Sequence, residues 1–419
     1  GERRIGTVDF AGKFSNEYET INFFNQAENP DLILETKRSA ISFSKNSKDY
    51  YDVVKQLKDY LLGSNCKSVK LGLIFNGFEL QLFRKQSRLI YPLTPILRTG
   101  SQCTDETISI LKRRINEVLA GRGSIISVWN NKGGVGKTSI AQSLAILLSD
   151  RQMYRAINKN NVLIIDYDHN QADLTGNCGF SMSKGLTRQL LELDMNGNLD
   201  IDLSLDEYFS VFGNTERRPR SKFPFEIKVL RADSELNQLG TQYEPFFMGV
   251  NKHPLRQLCL KLSYLFDYII IDSPPNFEQS IFSKEAIMAA DCILPIAQFA
   301  NKNSIVNYAN FITDAIKKAQ LERNDGGPYS MGMWINKWRQ WTDRYTKECI
   351  STLLESSANE DYQELKRILY KNLGNRSLRQ IKERPEITRC VMDNNGLPGV
   401  VRFKSARDAL KQLLSEFSD

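Results

Sequence analysis

Two kinds of hydrophobic spacing divide the chain. Before residue 93, apolar runs at 31–36, 69–75 and 78–83 have strand character, with a helical stretch near 48–62. Asn76-Gly77 separates two of these runs and predicts a two-residue hairpin. Residues 93–122 form a connector, with Pro92 and Pro95 at its opening and Thr104 as a helix N-cap. Ile108, Leu111, Ile115 and Val118 then recur at helical period until Gly121 and Gly123. From Ser124 onward, short apolar strands at 125–129, 162–165, 268–271, 292–296 and 331–335 alternate with amphipathic helices. This predicts an α/β fold: a mostly parallel sheet with helices on both faces, plus a smaller N-terminal α/β module. The expected units are 1–92, 93–122 and 123–419. Residues 176–250 carry no clear pattern; the basic run at 217–222 within them is expected to be an exposed loop.

Composition narrows the classes. Among 419 residues, 41% are hydrophobic and 25% charged, the balance of a globular protein with ample core. No stretch approaches the ~18 uninterrupted apolar residues of a membrane span, so no membrane partner is expected. The first residues, from Gly1, do not have the form of a secretory signal. The 7 cysteines form no Cys-x-x-Cys pair, which fits reduced thiols in a cytoplasm. With only His169 and His253, a His-rich zinc centre is excluded. The net charge is +7, and residues 366–411 alone hold 12 basic and 4 acidic side chains. A positive field of that kind suits a polyanion such as DNA.

The strongest chemical signal follows the first strand of the larger unit. Lys132-Gly133-Gly134-Val135-Gly136-Lys137-Thr138-Ser139 opens a helix. Glycines let successive N–H groups curl toward phosphate oxygens, and the helix N-terminus adds positive potential. Lys137 can reach the β- and γ-phosphates of ATP, and the Thr138 hydroxyl is placed to ligate Mg²⁺. Asp166 and Asp168 end an apolar strand at period two, so both lie on one face. Asp272 ends another such strand.

The loop resembles the deviant Walker A motif of the ParA/MinD family of partition and positioning ATPases. In that family the extra lysine, here Lys132, reaches across a homodimer that sandwiches two ATP molecules. The resemblance further implies that Asp168 positions the attacking water, that Asp166 supports it near Mg²⁺, and that Asp272 holds a magnesium-bound water. Asn336 falls where the family has an adenine-reading asparagine. The run from Asp166 departs from the family's Asp-x-Asp-Pro-Gln by having His169 for proline and one extra residue. The match covers roughly 124–417. It implies slow ATP hydrolysis stimulated by a protein partner. It also implies cytoplasmic, nucleoid-associated placement and non-specific DNA contact by the basic C-terminal surface, for which Arg402, Lys404, Arg407 and Lys411 are the candidates.

In the N-terminal module, Glu35 and Lys37 share one strand face. A carboxylate there can bind Mg²⁺ and a lysine can stabilise a pentavalent phosphate. Asp9 is the expected second metal ligand, because Asp31 lies too far along the strand. With Gln56-x-x-x-Tyr60 downstream, these residues resemble the PD-(D/E)xK nuclease domain of type I restriction motor subunits.

Two readings follow. One is an ATP-dependent dimerising, DNA-associated ATPase with a nuclease-like effector, Mg²⁺-dependent and suggestive of defence against foreign DNA. The other is a plasmid-partition or positioning ATPase whose N-terminal module only binds DNA or a partner. A metabolic ATPase on the same fold is disfavoured by the missing Cys-x-x-Cys pair.

Overall fold

The structure, a computed structural model, describes residues 8–13, 30–44, 47–99, 103–130, 132–149, 160–200, 205–213, 225–238, 253–275, 280–298, 315–338, 343–355, 366–367, 369–370, 379–382, 387 and 404–417. Arg402 and the basic run at 217–222 lie outside them.

The N-terminal module is built on β1 (Phe10–Gly12), β2 (Leu32–Thr36), α1 (Lys48–Leu61), β3 (Leu71–Phe75), β4 (Glu79–Gln86), β5 (Leu89–Pro92) and β6 (Leu97–Arg98). The strands run in the order β1-β2-β3-β4-β5, with β6 beside β4. Only β2 and β3 pair in parallel, with α1 as their crossover. The Ser47 side chain caps α1 by accepting from the Tyr50 N–H at 3.1 Å. Its apolar face (Tyr50, Val53, Leu57, Tyr60 and Leu61) is buried. The helix packs so closely on β3 that a Cβ at Gly72 would lie 2.9 Å from Leu61. The Asn76 turn differs from the expected two-residue form. It takes residues 76–78, and the Asn76 side chain accepts from Phe78 and Glu79 N–H groups at 3.0 and 2.7 Å.

Thr104 does cap α2 (Asp105–Leu119), accepting from the Thr107 N–H at 3.2 Å. The N-terminal sheet runs past the expected boundary, since β6 lies within residues 93–122.

The larger sheet contains β7 (Ser124–Trp129), β8 (Val162–Asp166), β9 (Ser210–Gly213), β10 (Glu226–Leu230), β11 (Tyr268–Asp272), β12 (Cys292–Gln298), β13 (Tyr329–Ser330), β14 (Trp334–Trp338) and β15 (Arg379–Lys382). Their order is β15-β14-β12-β7-β11-β8-β10-β9, with β13 beside β12, and all pairs except β9–β10 are parallel. The expected strand at 331–335 is instead β13 and β14, with 331–333 between them. β9 and β10 come from the stretch without a clear sequence pattern, and they extend the sheet beyond β8. Helix α3 (Lys137–Ser149) is almost wholly buried, which explains its weak amphipathicity.

One apolar cluster joins the two sheets. It unites Leu71, Leu82, Leu89, Tyr91 and Leu93 of the module with Val118 of α2, and with Ile126, Val128, Ile140 and Leu144 of the larger domain. The contacts lie at the N-terminal ends of the larger sheet's strands. Arg84 donates to the Gly123 carbonyl at 3.0 Å and also to that of Arg122. The hydroxyls of Tyr91 and Ser124 are 2.9 Å apart, and Gln86 donates to the Asp267 carbonyl at 2.8 Å. Lys58 reaches the Tyr329 hydroxyl at 2.9 Å. The module is thus docked on the edge opposite the phosphate loop.

Buried Arg84 is central to this seam, so Arg84→Met should strand two carbonyls and lower stability by roughly 2–4 kcal/mol. Urea unfolding of the full chain checks this; a change under about 1 kcal/mol contradicts it.

Candidate functional site

Asn130 and residues 132–136 lie between β7 and α3 at the C-terminal edge of the parallel sheet, where such folds place ligand chemistry. Gly134 and Gly136 have φ of +75° and +96°, which side chains rarely adopt. A Cβ at Gly133 or Gly134 would meet nothing within 4 Å, so the loop opens onto free space. Asn130, which carries no sequence signal of its own, ties the loop down. Its amide donates to the Ile296 carbonyl and its oxygen accepts from the Lys132 N–H at 2.7 Å.

The two lysines of the motif differ in setting. Lys137 is buried, and its ammonium donates to the Lys132 carbonyl at 3.3 Å. Burial pulls its pKa down, while Asp272, Asp168 and Asp173 pull it back up. Lys132 is exposed.

Asp166 and Asp272 are register partners at the ends of β8 and β11. Burial pushes Asp166 up to about 6, and it raises Asp272 further, with Asp166 adding repulsion and Lys137 opposing it. The two play different parts. Asp166 accepts from the Thr175 N–H and hydroxyl at 2.8 and 2.7 Å, and from the Asp168 N–H at 3.3 Å. Its oxygens are therefore engaged in shaping the loop, beside the Asp272 carboxylate. Asp272 is buried with neither oxygen in a well-formed hydrogen bond, beside Thr138 and Lys137. That orphaned carboxylate fits a bound cation or its water. Asp168 carries a pKa raised by burial and accepts from the Gln171 N–H at 3.2 Å.

Thr175 and His169 are further residues whose roles the sequence hid. The Thr175 hydroxyl also accepts from the Ala232 N–H at 2.9 Å. His169 is fully buried against Tyr167 and Phe282, and its Nδ1 accepts from the Asp233 N–H at 2.9 Å. Burial drives its pKa down to about 4, so the ring is neutral. Nothing in an isolated sequence marks these pairings, because residues 175 and 232 meet only through β8–β10 pairing.

Asn336, expected at the adenine, sits on the phosphate loop itself: its amide donates to the Val135 carbonyl at 2.8 Å.

A second polar cluster lies in the module. Lys37 contacts Glu35 and donates to the Gln56 side-chain oxygen at 2.9 Å; Gln56 donates to the Tyr60 hydroxyl at 2.8 Å. Buried Glu35 has its second oxygen unpartnered. β1 pairs with β2 through Phe10–Leu34, and one residue further sets Asp9 opposite Glu35. The Asp9 carboxylate accepts from the Thr36 N–H and hydroxyl at 2.7 and 2.8 Å, which lowers its pKa. Among the described residues, no group of three His, Cys, Asp or Glu side chains could hold a metal ion. A Mg²⁺ at either site would therefore complete its shell with water and phosphate oxygens, as this ion commonly does.

Three of the basic candidates, Lys404, Arg407 and Lys411, lie on α11 (Lys404–Leu414). Lys404 and Lys411 are exposed, but Lys411 pairs with Asp408 at 2.7 Å. Among the described residues, no helix is long and apolar enough to cross a membrane.

Comparison with known proteins agrees with the P-loop reading. Residues 123–324 match the family described as AAA domain. A chromosome partitioning protein ParA of Myxococcus xanthus is 29% identical over 176 residues, covering 41% of this chain and 51% of its own length. An uncharacterized protein of Pseudomonas putida is 27% identical over 172 residues, covering 41% of this chain and 54% of its own. The chain spans about half the length of these curated relatives. Among solved structures, the ATP complex of a Cyanothece McdA variant aligns with 70% of this chain and 97% of its own at 19% identity and TM-score 0.45. The Pyrococcus furiosus cell division ATPase MinD aligns with 70% and 98% at 20% identity and TM-score 0.43. The similarity to the AAA-domain family and to the Myxococcus xanthus ParA thus falls on the part of the chain that carries the phosphate loop.

A Cβ at Gly136 would collide with the Asn336 amide, and φ there is +96°. Gly136→Ala should therefore cost about 1–3 kcal/mol and abolish nucleotide binding. Thermal melting and fluorescent-ATP titration read both effects; unchanged ATP affinity contradicts the loop geometry.

Proposed function

We propose that the chain is an ATP-dependent dimerising switch whose N-terminal module cuts phosphodiester bonds. The observation that carries the first half is the split between its two loop lysines. Lys137 lies among buried carboxylates at the end of the sheet, whereas Lys132 is exposed on the same loop. Lys137 and the loop amides offset phosphate charge within one subunit. Lys132 supplies a positive charge to a facing subunit. Thr138, and Asp272 through water, would hold Mg²⁺, which would supply charge neutralisation for the phosphates. Asp168, with its raised pKa, orients the attacking water, and Asp166 with Thr175 fixes the loop that carries it. Phosphoryl transfer of this kind needs positioning and charge neutralisation rather than covalent chemistry. The ParA of Myxococcus xanthus is by description a partitioning protein, which supports a DNA-associated setting for this chain too.

Lys132→Ala should leave monomer ATP affinity within about threefold but prevent dimerisation with a non-hydrolysable ATP analogue. Lys137→Ala should weaken nucleotide binding by roughly 10–100-fold. Light scattering and titration separate the two; a Lys132→Ala protein that still dimerises rules out the shared-lysine arrangement.

The nuclease half rests on the unpartnered Glu35 oxygen at the head of the Lys37–Gln56–Tyr60 chain. Glu35 would bind Mg²⁺ with Asp9, and Lys37 would stabilise the developing phosphorane charge, held in place by Gln56. Glu35→Ala and Lys37→Ala should each abolish Mg²⁺-dependent plasmid cleavage while leaving ATP hydrolysis unchanged. Plasmid left intact by the wild-type protein would favour the alternative, a partition-type ATPase with a non-catalytic module. DNA contact by Lys404, Arg407 and Lys411, with Arg402, would make log K fall by roughly 0.9 per neutralised phosphate as log salt rises. Filter binding across a salt series checks that slope, and binding indifferent to salt removes these residues from the interface.

A further inference from the structure

The turn that carries Asp168 is strained and is held from outside itself. Residues 168–172 form a tight turn between β8 and α4 (Asp173–Asn177), in which the Ala172 N–H donates to the Asp168 carbonyl at 2.8 Å. Ala172 closes it at φ +50°, a left-handed conformation that a residue with a side chain rarely adopts. Such a conformation costs about 1–3 kcal/mol and persists only where the surroundings over-determine it. Just beyond the turn, Thr175 supplies one anchor by binding Asp166 and the Ala232 N–H. Within the turn, the anchor is His169.

The His169 ring is 1% exposed and stands edge-on to Tyr167 and to Phe282 in the first turn of α8 (Ile281–Ala289), with centroids 5.0 and 4.9 Å away. Because Nδ1 accepts from the Asp233 N–H, the proton of the neutral ring sits on Nε2. Among the described residues, that buried Nε2 has no hydrogen-bond partner. An unpaired buried N–H costs about 1–3 kcal/mol, so for filling space an apolar side chain would serve better. What an apolar side chain cannot do is accept from Asp233.

Asp233 is itself a junction. It is fully buried, and its carboxylate accepts from the Gly185 and Arg188 N–H groups at 2.8 and 3.0 Å, at the start of α5 (Leu186–Met195). It also accepts from the Glu235 N–H at 2.9 Å, and the Ser183 N–H donates to the neighbouring Ala232 carbonyl at 2.8 Å. The end of β10 and the start of α5 are thus knotted together, and His169 ties the Asp168 turn to that knot. The Asp168 carboxylate takes a bond from inside the turn, the Gln171 N–H at 3.2 Å, so its direction follows the turn's. We propose that His169 is a positioning residue for ATP hydrolysis: by holding the Asp168 turn to Asp233, it fixes the direction in which that carboxylate meets the attacking water. This rests on the reading of Asp168 as the water-orienting group.

Asparagine Oδ1 stands as many bonds from Cα as histidine Nδ1, and glutamine Oε1 as many as Nε2, so the two amides separate the two ring positions. His169→Asn keeps an acceptor facing Asp233; His169→Gln and His169→Leu do not. Single-turnover hydrolysis by the full chain at saturating ATP and Mg²⁺ should fall about tenfold or more in the Gln and Leu proteins and stay within about threefold of wild type in the Asn protein. ATP affinity should stay within about threefold in all three. If His169→Leu fails to fold, the comparison of Asn with Gln decides alone. Equal rates in those two proteins, or a rate loss matched by lost ATP affinity, overturn the proposal. Asp168→Asn tests the reading beneath it. If that protein hydrolyses ATP as fast as wild type, the roles of Asp168 and His169 fall together; if it is inactive while His169→Gln keeps the wild-type rate, the His169 inference alone falls.

Discussion

Two carboxylates at the ends of adjacent parallel strands repel each other in a setting poor in water, and the nucleotide edge is organised around that tension. The register of β8 against β11 makes Asp166 and Asp272 neighbours. Thr175 relieves one of them with a backbone and a hydroxyl donor. The other is left to Lys137, whose ammonium is itself drawn out of water onto the loop carbonyl. Neither arrangement is self-sufficient: a buried ammonium and a buried carboxylate are each unfavourable alone, and together they keep the first turn of α3 in place. On the proposed reading, a triphosphate with its cation would enter a site already poised between the two charges.

The same logic of polar groups at strand ends recurs at the opposite edge. There the groups are backbone carbonyls where parallel strands begin, and the module adds donors to them through Arg84 and Gln86. Leu82, Leu89 and Tyr91 fill the space beneath. The module is therefore not tethered by a loose linker; its sheet and the larger sheet share one packed interior. Movement at either edge has to be accommodated by the same side chains, which are close-packed and resist small adjustments.

Much of this was legible from residue order alone. The continuous apolar runs ending in Asp166 and Asp272 announced buried parallel strands, and the glycines before Lys137 announced the loop. Thr104 was readable as a cap because caps are local. The features that escaped depend on distant segments meeting. Asn130 looked like ordinary loop until Ile296 stood beside it. Thr175 needed β10 to bring Ala232 within reach. Asn336 was expected to face a base, yet its position on β14 carries it to the Val135 carbonyl. β9 and β10 escaped because their surroundings lack the sustained apolar period of the central strands. In the module, Glu35, Lys37, Gln56 and Tyr60 were grouped only by a resemblance; that their side chains form one hydrogen-bonded chain is visible only in the fold.

Attachment at the far edge has a consequence for any paired form. Strands of five or six residues span about 17–20 Å. If two copies meet through their phosphate loops, each module hangs on the outer end of its own subunit, with both sheets lying between them. Such a pair would hold its two modules apart by at least the depth of both sheets.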